Sequence, residues 1–199
     1  AVLLGMGGSS LAPEVFSKVF GTADGYLNLT VIASTDPGML LAAAEGVDLC
    51  HTRVIVATTS GGTAETLSLF KYFYNEVAAQ LGPENAGEHF IAVTDPGSSL
   101  VDLAENYEFR DIFLNNPHIG GRYSALSYFG LLPAALSGVN LPRLLDEARI
   151  AAGNGQGSAA GSDNVAAVLG VVMGELALKG IDKLTLITSP TLTSFGDWA

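Results

Sequence analysis

Cysteine and basic residues are scarce in this chain of 199 residues: Cys50 stands alone, and nine Lys and Arg face 20 Asp and Glu. A single cysteine excludes a disulfide framework and a cysteine-based metal site, and it favours a reduced, cytoplasmic setting. A net charge of −11 argues against a nucleic-acid binder, which usually presents a basic face. Apolar runs fall short of the roughly 18 residues that a membrane span requires, and the N-terminus does not resemble a secretory signal. We therefore expect neither nucleic-acid nor membrane partners.

Charged residues of either sign are also few, at 15% of the chain against 48% hydrophobic residues. A chain of this length and composition can bury a sizeable core. Its negative charge repels anionic ligands at long range. Any anion site must therefore be built locally, from backbone amides, hydroxyls and one or two placed cations.

The first part of the chain alternates between strand-like and helix-like segments. Apolar runs lie near residues 1–6, 28–34, 53–58, 89–94 and 110–114, with helical patterns near 36–46, 62–80 and 97–106 between them. Nearly every position of the runs is apolar, which is typical of strands buried on both faces of a parallel sheet. The alternation predicts an α/β fold with a doubly wound parallel five-stranded sheet of order 2-1-3-4-5.

The pattern changes after residue 115. Helices are predicted near 123–137, 141–151 and 163–179, a linker over the Gly-, Ala- and Ser-rich residues 151–164, and a strand over Lys183–Ser189. We therefore expect a ligand-binding domain at 1–140. Residues 141–199 would form a helical linker and the first strand of a second, truncated α/β unit. The abrupt apolar start and the ending SFGDWA suggest an internal piece of a longer polypeptide.

Two strand ends break into glycine and hydroxyl residues, namely Gly5-Met6-Gly7-Gly8-Ser9-Ser10 and Thr59-Ser60-Gly61-Gly62-Thr63. Glycines let a ligand approach the backbone amides, and the helix that follows turns its positive end towards an anion. Strands 1 and 3 would be neighbours at the switch point of the sheet, so both loops would face one crevice. Either loop alone could be a tight turn. A dinucleotide site using Asp36 is the first alternative, but Ser10 stands where the fingerprint needs glycine.

Three segments together resemble the phosphoglucose isomerase family: GMGGSSLAP (5–13), TSGGTAET (59–66) and IGGRYSALSYFGLLPAAL (119–136). The fold of that family is the sugar isomerase (SIS) domain. DNVAAVLGVVMGELALKGIDKLTLITS (163–189) is similar to the approach to the family's second SIS domain. The sequence of these segments is most similar to that of bacterial proteins in which a transaldolase is fused upstream of the isomerase. GGRYS is the most specific part, because other SIS proteins share the phosphate loop but not this segment.

The resemblance implies interconversion of glucose 6-phosphate and fructose 6-phosphate through a cis-enediol(ate), with no metal or organic cofactor and with a homodimeric intact protein. It assigns phosphate binding to Thr58, Ser60, Gly61, Gly62, Thr63 and Thr66, and sugar contacts to Gly8, Ser9 and Gly121. Catalytic roles are implied for Arg122, which would stabilise the developing oxyanion, and for Glu65, which would orient a water or hydroxyl.

Two departures from the family pattern stand out. Thr59 replaces a lysine that many members carry, which leaves the preferred sugar phosphate open. The proton-transferring glutamate, the ring-opening histidine and a late lysine are expected beyond residue 199, so this chain alone is expected to be inactive. His118 is next to GGRYS, but the matching histidine belongs to that later part.

Two other functions remain as alternatives. One is a non-catalytic SIS module that senses a sugar phosphate, although a sensor has no need of an oxyanion-stabilising arginine. The other is an SIS isomerase for an amino sugar or heptose phosphate, which would share the loop TTSGGTAET but not the later motifs.

Overall fold

The structure, a computed structural model, describes residues 1–155 and 164–199. These residues form two compact units, one of residues 1–139 with 190–199 and one of residues 140–189. Most of the linker predicted over 151–164 lies outside the described residues. Of its two ends, residues 151–154 finish a helix, and Asn164 caps the next one through a bond from the Ala167 amide to its side-chain oxygen.

The first unit is built on five parallel strands in the order β2-β1-β3-β4-β5. The strands are β1 (Val2–Gly5), β2 (Thr30–Ile32), β3 (Val54–Ala57), β4 (Phe90–Thr94) and β5 (Asp111–Leu114). Leu3 of β1 pairs with Val31 on one side and with Ile55 on the other. The predicted α/β class and strand order are confirmed, and β1 and β3 are neighbours at the switch point.

Helices of the first unit connect its strands and pack on the sheet, and further helices belong to the second unit. In chain order they are α1 (Gly8–Phe20), α2 (Pro37–Glu45), α3 (Ala64–Leu81), α4 (Pro83–Ala86), α5 (Ser99–Asn106), α6 (Tyr128–Leu136), α7 (Leu141–Asn154), α8 (Val165–Leu178) and α9 (Thr193–Trp198). The second unit holds α7 and α8, and α9 belongs to the first. Within residues 1–155 and 164–199, no helix combines the length and the apolar character needed to cross a membrane.

The core lies on both faces of the three central strands, which are completely buried. Leu4 and Val56 pack on one face with Phe73 of α3, and Leu3 packs on the other with Phe129 of α6. Since successive side chains of a strand point to opposite faces, two-sided burial explains the unbroken apolar runs. The edge strand β5 is less buried than these three strands, because its first and last residues, Asp111 and Leu114, are exposed.

An aromatic cluster around Phe70 fixes α3 against the sheet. The Phe70 ring lies 5.5 Å from that of Phe90 on β4, 5.3 Å from Tyr107 and 5.4 Å from Phe109. Such ring pairs add to the energy of burial. They hold the long helix rigidly, so that its N-terminus stays at the carboxyl edge of the sheet.

Two predicted elements are wrong. The helix predicted over 123–137 is instead a 3-10 segment, Gly121–Leu126, followed by α6, because Ser127 adopts an extended backbone between them. The strand predicted over Lys183–Ser189 is absent, since residues 181–189 carry neither helix nor strand. The described part of the second unit contains two helices and no strand, so this apolar segment has no ladder to join.

Replacing Asp36 by alanine should weaken α2 without touching the crevice. The Asp36 carboxylate accepts a hydrogen bond from the Met39 amide at 2.9 Å and caps α2 ahead of Pro37. Losing such a cap costs about 1 kcal/mol. We expect Asp36→Ala to lower the free energy of unfolding by about this amount in urea titrations, whereas Asp36→Asn retains most of it. Unchanged stability in Asp36→Ala would show that the cap contributes nothing.

Candidate functional site

The two glycine-rich loops face one crevice at the carboxyl ends of β1 and β3. The crevice contains a cavity of about 110 Å³. Its walls are formed by Met6, Gly8, Ser9, Ala57, Thr58, Thr59, Thr63, Thr66 and Gly121. None of these lining residues is ionisable. Ligands of open α/β sheets bind at this position of the fold.

The first loop makes backbone contact with the distant GGRYS segment. A Cβ atom added to Gly8 would lie 2.4 Å from the carbonyl carbon of Gly121, so only glycine fits here. Ser124 joins the same contact, since its Oγ lies 3.2 Å from the Gly8 carbonyl oxygen. The close approach explains how residues more than 110 positions apart form one wall of the crevice.

The second loop is closed by its own hydroxyls and anchored to β4. Thr58 Oγ1 lies 3.0 Å from Thr63 Oγ1, across the loop. The Thr59 carbonyl accepts hydrogen bonds from the Asp95 amide at 3.3 Å and from Thr94 Oγ1 at 3.4 Å. These bonds fix the loop relative to the sheet. The polar groups of the loop are therefore held in one geometry.

Gly61 has the backbone conformation that lets the loop turn. Its φ is +73°, and an added Cβ would lie 2.5 Å from the Leu100 amide nitrogen and 2.8 Å from the Ser99 amide nitrogen. The loop is therefore packed directly against the N-terminus of α5. Only glycine combines this φ with this contact.

Neutral hydrogen-bond donors converge at the N-terminus of α3. Thr63 is the N-cap of this helix, but its side chain makes no capping hydrogen bond, so the positive end of the helix is open. Thr66 in the first turn is completely buried, and its hydroxyl has no partner among the described residues. An unpartnered buried hydroxyl costs about 1–3 kcal/mol. The arrangement therefore suits an anionic or hydroxyl-rich ligand that satisfies these groups.

Arg122 and Glu65 lie outside the cavity lining, and both side chains are exposed. In the described ranges neither makes an ion pair or a side-chain hydrogen bond. Each is next in the chain to a lining residue, Arg122 after Gly121 and Glu65 before Thr66. Among the described residues, neither charged group would have to break an ion pair in order to contact a ligand.

The structure brings together six of the predicted binding residues and leaves three outside the lining. Gly8, Ser9, Thr58, Thr63, Thr66 and Gly121 line the cavity. Ser60 and Gly62 are exposed and do not line the cavity, and the Gly62 amide donates to Ser60 Oγ at 3.3 Å. Gly61 is buried where the loop packs against the N-terminus of α5.

Met6, Ala57 and Thr59 also line the cavity, and Asp95 lies beside the loop, although none of the four is predicted as a site residue from the sequence. The Oδ1 atom of Asp95 is buried without a partner in the described part of the chain. A signal existed, because Asp95 directly follows the apolar run of β4, whose carboxyl end meets the same edge of the sheet.

The histidines contribute nothing to the lining of the cavity. His118 is exposed, and His51 pairs with Asp48 at 2.8 Å on the surface. The hydrogen bond from His51 lowers the pKa of the Asp48 carboxyl. Across residues 1–155 and 164–199, no three His, Cys, Asp or Glu side chains are grouped as they would be around a metal ion.

The sheet order and the paired loops define a doubly wound α/β domain with its ligand crevice at the switch point. Residues 1–174 match the family model described as phosphoglucose isomerase. The chain therefore belongs to the phosphoglucose isomerase family.

Similar proteins are described as glucose-6-phosphate isomerases. A glucose-6-phosphate isomerase of Thermosynechococcus vestitus is 38% identical over 153 residues, which is 74% of this chain and 28% of that protein. One of Thermus thermophilus is 34% identical over 148 residues, 74% of this chain and 35% of the relative. The matched region is thus about a third or less of the length of these relatives.

Solved structures share the fold over almost the whole chain. A hypothetical protein of Thermus thermophilus superposes with a TM-score of 0.86 at 28% identity, over 99% of this chain and 46% of that one. A glucose-6-phosphate isomerase of Chlamydia trachomatis gives a TM-score of 0.81 at 22% identity, over 99% of this chain and 38% of its own. The second likeness supports the fold alone.

Proposed function

We propose that this chain binds a sugar phosphate in the crevice and belongs to a protein that interconverts glucose 6-phosphate and fructose 6-phosphate. The observation that carries the proposal is the buried, unpartnered hydroxyl of Thr66 beside the open N-terminus of α3. Family membership and the names of the relatives give the substrate class. Cytoplasmic location, a homodimer and an upstream transaldolase stay predictions.

The phosphate group is placed against the loop between β3 and α3. There the first-turn amides of α3, the Thr66 hydroxyl and one hydroxyl of the bonded Thr58–Thr63 pair supply neutral donors, and the helix dipole adds a positive potential. Because no lining residue carries a charge, the phosphate is held by hydrogen bonds and the helix terminus, in a protein whose net charge is −11. Ser60 and Gly62 belong to the same loop and are exposed.

The sugar extends towards Gly8, Ser9 and Gly121, and its reacting end towards Arg122. Moving a proton between C1 and C2 creates an enediolate oxygen, and the unpaired Arg122 guanidinium is suited to stabilise that charge. Glu65 would orient a water or hydroxyl near the first turn of α3. Of the described residues that line the cavity, none has a side chain suited to act as the general base. We therefore assign this chain the roles of binding the substrate and stabilising charge.

Thr66→Val should separate ligand binding from stability. Removing a buried hydroxyl that has no partner leaves stability unchanged or raises it by about 1 kcal/mol, because an uncompensated polar group is lost. The same change removes a hydrogen bond to the phosphate, which is worth about tenfold or more in Kd. Urea titration and calorimetry with fructose 6-phosphate measure the two effects.

The matched control is Thr52→Val. Thr52 is also buried, but its hydroxyl donates to the Asp48 carbonyl at 2.6 Å, away from the crevice. We expect this variant to lose stability and to keep its affinity. If Thr66→Val lost stability and kept full affinity, the Thr66 hydroxyl would not be hydrogen-bonded to the ligand.

Calorimetric titration with fructose 6-phosphate, fructose and NAD tests the proposed function. We expect binding that depends on the phosphate group, so fructose and NAD give no heat of binding at the same concentrations. Binding of NAD in place of the sugar phosphate would overturn the proposal. Equal affinity for fructose and fructose 6-phosphate would overturn the placement of the phosphate.

A further inference from the structure

We propose that Ser124 is a positioning residue that sets the separation between the two walls of the sugar end of the crevice, an inference that rests on the proposed function. Its side chain is only 1% exposed. Its Oγ atom lies 2.7 Å from the Gly121 carbonyl oxygen and 3.2 Å from the Gly8 carbonyl oxygen. A hydroxyl has one proton to donate, so both carbonyls share a single donor.

The contact to Gly8 is the one that joins distant parts of the chain. Gly8 opens α1 after the first loop, whereas Gly121 opens the 3-10 segment that contains Ser124. The backbones already touch, because a Cβ on Gly121 would lie 3.4 Å from the Cα of Gly8. The Ser124 hydroxyl adds a directional hydrogen bond to this van der Waals contact between the two backbones, and it thereby fixes the distance between them.

The segment is also held from its other end. Ser127 Oγ donates to the Ser124 carbonyl at 2.7 Å, inside the protein. Ser127 also caps α6, since its Oγ accepts a hydrogen bond from the Phe129 amide. Ser124 is therefore bonded to Ser127 at the start of α6 on one side and to Gly8 of the first loop on the other. Arg122 lies in the same 3-10 segment, between Gly121 and Ser124.

The phosphate end of the crevice is held by different bonds. Thr58 and Thr63 contact each other, and the Thr59 carbonyl is anchored to the end of β4. None of these bonds involves Ser124. Loss of its hydroxyl should therefore loosen the sugar end, lined by Gly8 and Gly121, and leave the phosphate end intact.

The test compares two ligands on Ser124→Ala, with Ser137→Ala as the matched control. Ser137 is likewise buried, and its hydroxyl has no partner in the described residues. We expect Ser124→Ala to bind fructose 6-phosphate at least fivefold more weakly than the unmodified chain, while affinity for inorganic phosphate changes less than twofold. Ser137→Ala should change neither value. Calorimetry gives the affinities, and thermal unfolding reports whether each variant is folded.

Each outcome bears on a separate claim. Unchanged affinity of Ser124→Ala for fructose 6-phosphate, or equal losses for both ligands, would overturn the positioning role. Should that variant fail to fold, Ser124→Cys keeps a similar volume with a weaker donor, and we expect the same selective loss to a smaller degree. If the unmodified chain bound phosphate but no fructose 6-phosphate, the proposed function itself would fail, and the inference with it.

Discussion

Gly61→Ala is expected to destabilise the first unit by about 2–5 kcal/mol and to weaken fructose 6-phosphate binding at least 100-fold. A left-handed backbone costs an L-residue about 1–2 kcal/mol, and the forced backbone shift adds about 1–3 kcal/mol. The shift is required because the new Cβ would lie 2.5 Å from the Leu100 amide nitrogen. Since the same loop carries Thr58 and Thr63, moving it disperses the phosphate donors.

Gly62→Ala provides the control, one residue further along. A Cβ there meets no atom within 4 Å, and the residue is exposed. We expect its free energy of unfolding and its affinity to stay close to those of the unmodified chain. Urea titration and calorimetry measure both variants. If the two alanine variants behaved alike, the close packing of the loop against α5 would not be what shapes the site.

Gly8→Ala should have the second largest effect, and it acts on the other wall. The added methyl would lie 2.4 Å from the carbonyl carbon and 2.6 Å from the Cα of Gly121. Both are backbone atoms, so no side-chain rotation can relieve the clash, and the first loop and the 3-10 segment must move apart. We expect a loss of about 1–3 kcal/mol in stability and roughly 100-fold in fructose 6-phosphate affinity, because Gly8, Ser9 and Gly121 form this wall.

The matched variant Gly120→Ala tests whether the effect comes from the contact between Gly8 and Gly121 or from replacing any glycine in this region. A Cβ on Gly120 would lie 3.8 Å from the Tyr123 ring, which is an ordinary contact. This change should leave both stability and binding nearly unaffected. Full fructose 6-phosphate affinity in Gly8→Ala would contradict the placement of the sugar between these two segments.

Much of the fold could be predicted because burial on both faces leaves a strong signature. The runs at β1, β3 and β4 are apolar at nearly every position, and the polar breaks after β1 and β3 mark where the chain leaves the sheet. Parallel topology then requires both loops to share one edge. The position of the crevice therefore follows from the strand pattern and the parallel topology alone.

Finer features depended on contacts that local patterns do not contain. The helix predicted over 123–137 is broken at the extended residue Ser127, and the 3-10 segment before it packs at Gly121 against Gly8, more than 110 residues earlier. Similarly, the pattern of the second loop does not reveal that Thr66 lines the cavity while Ser60 is exposed outside the lining. Lys183–Ser189 has the composition of a strand, but pairing needs a partner that the described second unit lacks.

In the proposed complex, the loop between β3 and α3 holds the phosphate group. Amide-resolved NMR of the isotope-labelled chain, titrated with inorganic phosphate and then with fructose 6-phosphate, tests it most directly. We predict that phosphate shifts chiefly the amides of residues 60–66, and that fructose 6-phosphate adds shifts at residues 7–9 and 120–124. Saturable shifts confined to another surface, with residues 60–66 unmoved, would contradict the claim.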